Sequence, residues 1–527
     1  MKSLIKVLLL ALLSAGLLSA CGGGGSGTAP SPSLSVATSL SFAAQTVGVP
    51  SIQVLTVTNT GTGALLISGI TLTGAAFTQT NNCTSVAPAA TCAVTVTYTP
   101  SAAAQTGSLN IASNAPNSPA IVTLNGAAGL TNFLPVTASV GPLAGLNYSV
   151  NVLYATITVC TPGSTTACTT IPNIQVDTGS VGLRLISPLG TAVPTPITDS
   201  TTTSPIFECV QFVDGYTWGS MVTLDVQFGG QTLSNVAVNL LGDAAAGAAP
   251  ADCATAPTNI IAPTYMNEST VVALGANGVL GVGNLLQDCE VGCTPAFLTS
   301  NPQYLPESPY YVCPAGNCVH TGVALANQAN NLAALLNAYN NVSADHNGIM
   351  IDLPAAPNTG LSSLEGKLFF GINNQNNNQL PASAKTYSLS YSQTLSTTYK
   401  SSVLPNSFID SGSNGLFFDD PLIPTCADLA DQFFCPSNPD TLSLSAVIQS
   451  SDATVTSGDI AFTIGNADTL LPSLYDPSTA LAVQPTLGGP LGLTGSFDWG
   501  LPFFYGRRVF VLFDNYPGYG NGAIAFE

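Results

Sequence analysis

The stretch Ile174-Gln175-Val176-Asp177-Thr178-Gly179-Ser180-Val181-Gly182-Leu183-Arg184-Leu185 recurs, lightly edited, as Ser407-Phe408-Ile409-Asp410-Ser411-Gly412-Ser413-Asn414-Gly415-Leu416-Phe417-Phe418. Both copies read apolar, Asp, Thr or Ser, Gly, Ser, any residue, Gly, Leu. An apolar strand delivers an acid into a turn whose glycine opens dihedrals closed to other residues, and a second apolar run carries the chain away. One Asp-Thr-Gly-Ser is usually just a turn. Two copies with matching flanks predict two loops facing each other across a pseudo-twofold axis. Their carboxylates would then lie too close for both to ionise, and the pair would share one proton, one Asp acting as base and the other as acid.

Asp177 also stands out by position, because no Asp, Glu, Lys, Arg or His occurs between Lys6 and Asp177. An acid set between apolar strands carries a desolvation penalty that raises its pKa unless a partner or hydrogen bonds offset it.

With the two acid loops go further segments in a set order, and together they resemble the pepsin-like aspartic peptidases, a family in which proton sharing by an Asp pair is established. Gly215-Tyr216-Thr217-Trp218-Gly219-Ser220-Met221 and Val226-Gln227-Phe228-Gly229-Gly230 are similar to its flap hairpin and following strand. Asn277 to Gly283 is similar to the element supporting the first acid loop, Gly366 to Ile372 to the central inter-lobe strand, and Trp499 to Phe526 to the closing segment. The resemblance covers residues 130–527. It implies that Asp177 and Asp410 activate a water for peptide hydrolysis. Tyr216, with Gly219 and Ser220, would form a mobile flap over the substrate. Ser180 and Ser413 would hydrogen-bond the adjacent acids, while Thr178, Gly179, Ser411 and Gly412 would support the dyad. No cofactor and no metal is implied. Three departures stand against the pattern: Arg184 where an aromatic residue is usual, Asp498 where an apolar one is usual, and no basic pro-segment before the first acid loop.

At the N-terminus, Lys2 and Lys6 precede an apolar run from Val7 to Leu18, closed by Leu18-Ser19-Ala20-Cys21. This reads as a signal peptide too short to be a spanning helix. Its end is similar to the bacterial lipobox, which implies lipidation of Cys21 and, with Gly22 next, outer-membrane sorting. An ordinary secretory signal with a chance cysteine is the other reading. Residues 22–33, made of Gly, Ser, Thr, Ala and Pro, form a flexible tether.

Residues 34–128 alternate apolar and polar in short runs between Gly, Pro and Asn turns, the pattern of a β-sandwich. Val57-Thr58-Asn59-Thr60-Gly61, Leu65-Leu66-Ile67 and Val96-Thr97-Tyr98-Thr99-Pro100 resemble the immunoglobulin-like domains of the ASPM, SPD-2 and Hydin group. Without a charged or imidazole group the domain cannot host acid-base chemistry, so it reads as a spacer or an adhesion module.

The chain has 13 cysteines, 12 of them beyond Cys21. In an exported chain disulfides are the default. Cys83 with Cys92, Cys160 with Cys168, Cys313 with Cys318 and Cys426 with Cys435 are close pairs. Cys209, Cys253, Cys289 and Cys293 remain to pair among themselves. The spacing of Cys289, Cys293, Cys313 and Cys318 also hints at zinc, but His320 and His346 are the only histidines. They form neither a recognisable ligand set nor a Ser/His arrangement, so metal and serine hydrolases are disfavoured.

Setting aside Lys2 and Lys6 leaves 6 basic residues against 27 acidic ones, a net charge of 6 − 27 = −21. Such a surface repels nucleic acid and acidic lipid. The reading is a mainly β protein: an immunoglobulin-like β-sandwich followed by a bilobal pepsin-like fold. The first lobe runs over residues 129–365, with an insertion at about 253–345 holding an amphipathic helix from Val323 to Tyr339, and the second over 366–527. The function expected is a lipid-anchored, monomeric aspartic endopeptidase of the cell envelope acting on peptide or protein substrates. The alternative is a surface lipoprotein that only binds peptide or glycan in the cleft.

Overall fold

The computed structural model describes residues 29–42, 50–101, 104–127, 132–143, 149–228, 231–257, 265–336, 346–427, 432–437, 439–471 and 481–527. The signal sequence, Cys21 and residues 22–28 of the tether lie outside the described residues. Among the described residues no helix is long and apolar enough to cross a membrane. The chain divides near residue 128 into two compact units.

The first unit is an immunoglobulin-like sandwich. One sheet orders Leu34–Ser35, Ser51–Asn59, Thr91–Tyr98 and Phe77–Asn81, and the other Ser39–Phe42, Ala120–Gly126, Gln105–Ser113, Leu65–Thr73 and Ser85–Val86. Strand alternation sends Val57, Val94, Val96, Leu109, Ile111, Val122 and Leu124 into one core, all fully buried. Asn59 is buried too, its amide nitrogen donating to Gly63 O at 2.8 Å and Val86 O at 2.9 Å. This is why an Asn can sit in that apolar run.

The second unit is mainly β and bilobal, with the same strand weave in each half. Cys168–Asp177 pairs in parallel with Gly278–Val282, aligning Val176 with Leu280 and Asp177 with Gly281. Gly278–Val282 in turn pairs antiparallel with Val181–Ile186, the strand that leaves the acid loop. The second half repeats this. Ser402–Ile409 pairs in parallel with Phe497–Trp499, and that strand pairs antiparallel with Leu416–Phe418. Joining the halves, Leu364–Phe370 lies between Phe133–Ala138 and Gly348–Asp352, and Gly348–Asp352 pairs on with Arg508–Leu512 and that with Ala523–Phe526. A single apolar core runs from Val136 and Ile174 through Ile351 and Leu368 to Trp499 and Phe504.

The helix expected from Val323 to Tyr339 is not formed. Residues 323–336 hold two short 3-10 turns, Leu325–Asn327 and Leu332–Leu335, and residues 337–345 lie outside the described set. Amide side chains compete with helical pairing here. Gln328 donates to Glu290 O at 2.8 Å and Val323 O at 3.1 Å, and Asn331 donates to Gly283 O at 2.9 Å and Leu285 O at 3.2 Å. The segment serves the backbone of its neighbours, including the strand end beside the first acid loop.

Candidate active site

The two acid loops cross at the bottom of the lobes. Ser411 N donates to Thr178 Oγ1 at 2.9 Å and Thr178 N to Ser411 Oγ at 3.1 Å. Each hydroxyl also donates onward to a carbonyl of the other lobe, Thr178 to Ile409 O at 3.2 Å and Ser411 to Val176 O at 2.8 Å. Gln175 adds a bond from its amide to Gly412 O at 2.9 Å.

This lattice fixes the carboxylates. Gly179 N donates to Asp177 Oδ1 at 2.8 Å and to Asp410 Oδ1 at 3.1 Å, and Gly412 N donates to Asp410 Oδ1 at 2.7 Å. Ser180 donates to Asp177 Oδ2, and Ser413 to Asp410 Oδ2 at 3.0 Å. The glycines are required by close approach. A Cβ on Gly179 would sit 2.8 Å from the Asp410 carboxyl carbon, and one on Gly412 would sit 2.5 Å from Asp177 Oδ1. Asp177 is buried and Asp410 partly so. Desolvation first, then the charges of Asp177 and Asp498 and a hydrogen bond shared with Asp177, hold the Asp410 carboxyl well above the usual carboxylate range.

Asp498 is 2% exposed and faces this pair from the strand below. By register Phe408 aligns with Asp498 as Gln175 aligns with Val279, so the equivalent position in the first lobe is apolar. Burial, partly opposed by a hydrogen bond with Ser413, also keeps the Asp498 carboxyl well above its ordinary value.

Tyr216 lies on the hairpin formed by Ile206–Gln211 and Gly215–Phe228, opposite Gln211, half-buried and stacked on Tyr265 with ring centroids 5.9 Å apart. Gly219 and Ser220 lie farther along the same strand, buried in its pairing with Gln231–Leu241. Ser220 is committed to Asp243, through its N at 3.0 Å and its hydroxyl at 2.9 Å. The hairpin differs from the free, mobile flap that the resemblance implies. Its outer strand pairs with Tyr310–Val312 from the insertion, and the Cys209–Cys253 disulfide ties it to the loop beyond. Gln211 donates to Asp252 O, Cys253 O and Thr255 O within 3.1 Å. Met266–Asn267 runs parallel to its inner strand at Gly215 and Tyr216. Burial and the Asp214 charge push the Glu268 carboxyl beside Gly215 up to about 8.

Arg184 is 1% exposed and lies 2.8 Å from Glu208 and 3.8 Å from Asp288. Tyr310 donates to Asp288 Oδ1 at 2.6 Å. Glu208, Asp288 and Tyr310 were not recognisable as a group in the sequence. The signal was Arg184 itself, since a cation inside an apolar strand requires buried anions.

All six disulfides pair the candidate cysteines: Cys83–Cys92, Cys160–Cys168, Cys209–Cys253, Cys289–Cys293, Cys313–Cys318 and Cys426–Cys435. The pairing left open resolves to Cys209–Cys253 and Cys289–Cys293, and none of the four zinc-spaced thiols is free to ligate a metal.

Among solved structures, the aspartic proteinase from Irpex lacteus is similar over 75% of this chain and 96% of its own, at 14% identity and a TM-score of 0.38. The Vibrio cholerae VesB protease matches over 18% of this chain and 32% of its own, at 19% identity and a TM-score of 0.16. A Porphyromonas gingivalis W83 protein of unknown function matches over 20% and 50%, at 17% identity and a TM-score of 0.18. The chain thus spans half the length of the last and about a third of VesB. No curated protein sequence matches significantly. Residues 32–127 match the family described as HYDIN/CFA65/VesB-like, Ig-like domain. Residues 128–526 match the family described as Protein of unknown function (DUF3443), and the chain belongs to that family.

Proposed function

We infer that the larger unit is an aspartic endopeptidase that hydrolyses peptide bonds with a water activated between Asp177 and Asp410. The observation that carries this reading is the crossed geometry, in which each carboxyl lies against the glycine of the opposite loop and Gly179 N–H donates to both acids. Asp410 holds the shared proton, because burial and two neighbouring carboxyls disfavour its charge. Asp177 takes a proton from water as the oxygen attacks the scissile carbonyl, and Asp410 gives its proton to the carbonyl oxygen. When the tetrahedral intermediate collapses, the C–N bond breaks, the nitrogen takes the proton from Asp177, and Asp410 recovers one from the gem-diol.

The Tyr216 hairpin would wall the cleft on one side. Because it is pinned by a disulfide and by strand pairing on both sides, a second reading also has support: a cleft that binds peptide or glycan without turnover. The sequence before residue 29 supports an exported protein anchored to the outer membrane through lipid on Cys21. The immunoglobulin-like domain would serve there as spacer or adhesion module.

The test is cleavage of a diverse peptide library by the soluble chain lacking residues 1–33, at about pH 3 to 7, beside Asp177→Asn and Asp410→Asn. Cleavage abolished in both variants, with melting temperatures held, is the expected result. Absence of cleavage by the native chain would favour the binding reading.

A further inference from the structure

Val181 and Asn414 hold the same place in the two acid loops, each directly after the loop's serine. The carbonyl of each takes a hydrogen bond from a buried, planar N–H donor. Arg184 Nη1 donates to Val181 O at 2.7 Å, and Asn151 Nδ2 donates to Asn414 O at 2.8 Å. Arg184 is on the strand leaving the first loop, whereas Asn151 lies just before the first-lobe strand Leu153–Cys160 and reaches across to the second lobe.

Asn151 is fully buried and every bonding position of its amide is used. Nδ2 also donates to Gln484 O at 2.8 Å, while Oδ1 accepts from Gln484 N at 2.7 Å and from the Tyr505 hydroxyl at 2.9 Å. Carbonyls can only accept and a backbone N–H can only donate, so these partners fix which way the amide points. Asn151 has φ +52°, in the left-handed region that Asn tolerates better than most residues. Its own N–H donates to Ala482 O at 2.7 Å. The segment it grips lies against the second acid loop's exit strand, where Leu416 N donates to Leu487 O at 3.0 Å.

We propose that Asn151 and Arg184 are positioning residues that clamp the exit carbonyls of the two acid loops, Asn151 on Asn414 O and Arg184 on Val181 O. The clamps are matched in place and different in anchorage. Arg184 is tied through Glu208 to the Tyr216 hairpin, and Asn151 ties the second loop to the opposite lobe.

The clamps can be tested without activity. Asn151→Asp suits the left-handed backbone and keeps both acceptor contacts, but it has at most one proton to offer two carbonyls. Under native conditions amide hydrogen exchange in residues 410–416 should quicken by roughly tenfold or more, while residues 177–183 keep the wild-type rate. The paired variant Arg184→Leu with Glu208→Leu should do the reverse, quickening residues 177–183 and sparing 410–416. Equal quickening of both loops in either variant, or none, would overturn the proposal.

The catalytic meaning of the clamps rests on the peptidase reading. The paired variant should regain much of the stability that Arg184→Leu loses, because no lone charge stays buried, yet Val181 O still lacks its donor. Its kcat should therefore remain roughly tenfold or more below wild type, with KM within about twofold, and Asn151→Asp should show the same split. A kcat that returns with stability would overturn the positioning role of Arg184. If the native chain cleaves nothing, the peptidase reading fails, while the exchange pattern still decides the clamps.

Discussion

Thr178 and Ser411 are reciprocal partners: each backbone N–H donates to the other's hydroxyl, at 3.1 and 2.9 Å, and each hydroxyl passes its own proton to a carbonyl of the opposite lobe. Four bonds made by two short side chains hold the acid loops in register. Ser411→Ala would leave Thr178 N and Val176 O without these partners in a buried setting. The expected cost is about 2 to 4 kcal/mol, from two orphaned groups at about 1 to 3 kcal/mol each with partial relaxation. Thr178→Ser keeps both bonds and should cost under about 1.5 kcal/mol. Denaturant midpoints at unchanged m-value would check this, and equal losses in the two variants would remove the lattice from the explanation.

Asp410 makes a second prediction, about stability against pH. Its folded pKa is raised, chiefly by burial and then by Asp177 and Asp498, so the folded state keeps a proton that the unfolded chain releases. The contribution of this group is most favourable below its ordinary value of 3.8 and declines as pH rises from there toward the raised folded value. Asp410→Asn should therefore gain melting temperature over the wild type as pH rises, while losing cleavage. A variant less stable than the wild type at neutral pH would mean that Asp410 is stabilised as an anion.

The part of this architecture legible in the sequence is the part written locally and repeated. The paired Asp-Thr/Ser-Gly-Ser turns, the ion-free alternating strands before them and the short-range cysteine pairs each need only a few adjacent residues. What could not be read depends on distant strands meeting. Arg184 signals that buried anions must meet it but not which ones, because Glu208 and Asp288 reach it from the hairpin and the insertion. Asp498 looked like a departure from an apolar pattern, because its burial beside the acid pair arises only once Phe497–Trp499 lies beside Ser402–Ile409. The segment after Val323 has helix-like apolar spacing, but its Gln and Asn side chains bond backbone groups of other segments, a choice that periodicity cannot show.

The Cys209–Cys253 disulfide closes a loop across a sequence separation of 44 and anchors the Tyr216 hairpin. In the chain-entropy model such a link is worth about 4 kcal/mol. Replacing both cysteines by Ser should lower stability by up to that amount. It should also speed amide hydrogen exchange in residues 206–228 more than in the strands around Asp177. Uniform acceleration throughout the unit would show that the link acts on global stability and not on the hairpin.

Glu268 supplies a pH dependence at the same hairpin. Its pKa moves from 4.5 in the unfolded chain to about 8 in the fold, first through burial and then through the Asp214 charge. The stability it contributes is complete below about pH 4.5 and is lost progressively up to about pH 8, with an upper bound of about 5 kcal/mol. Glu268→Gln should flatten this decline and be the more stable form at pH 8. A wild-type midpoint that does not fall relative to the variant between pH 5 and about 8 would contradict it.

Arg184 makes the sharpest demand on burial. Its guanidinium is paired with Glu208 at 2.8 Å, and both side chains are essentially inaccessible. Asp288, 3.8 Å away, has its pKa pushed well up, first by burial and then by Glu208, with Arg184 opposing. The cluster is thus best described as one ion pair beside a neutral acid that receives the Tyr310 hydroxyl. Arg184→Leu would leave the Glu208 carboxylate buried without its cation, at an expected cost of about 3 to 5 kcal/mol. The double variant Arg184→Leu with Glu208→Leu removes both charges and should recover much of that loss, because an apolar pair of similar volume avoids the desolvation of either ion. Asp288→Asn should change stability by less than about 1 kcal/mol, since a neutral amide can still accept from Tyr310. If Asp288→Asn instead costs as much as Arg184→Leu, then Asp288 is ionised and Arg184 balances two carboxylates. In that case the double variant would recover little, with a second anion still buried alone.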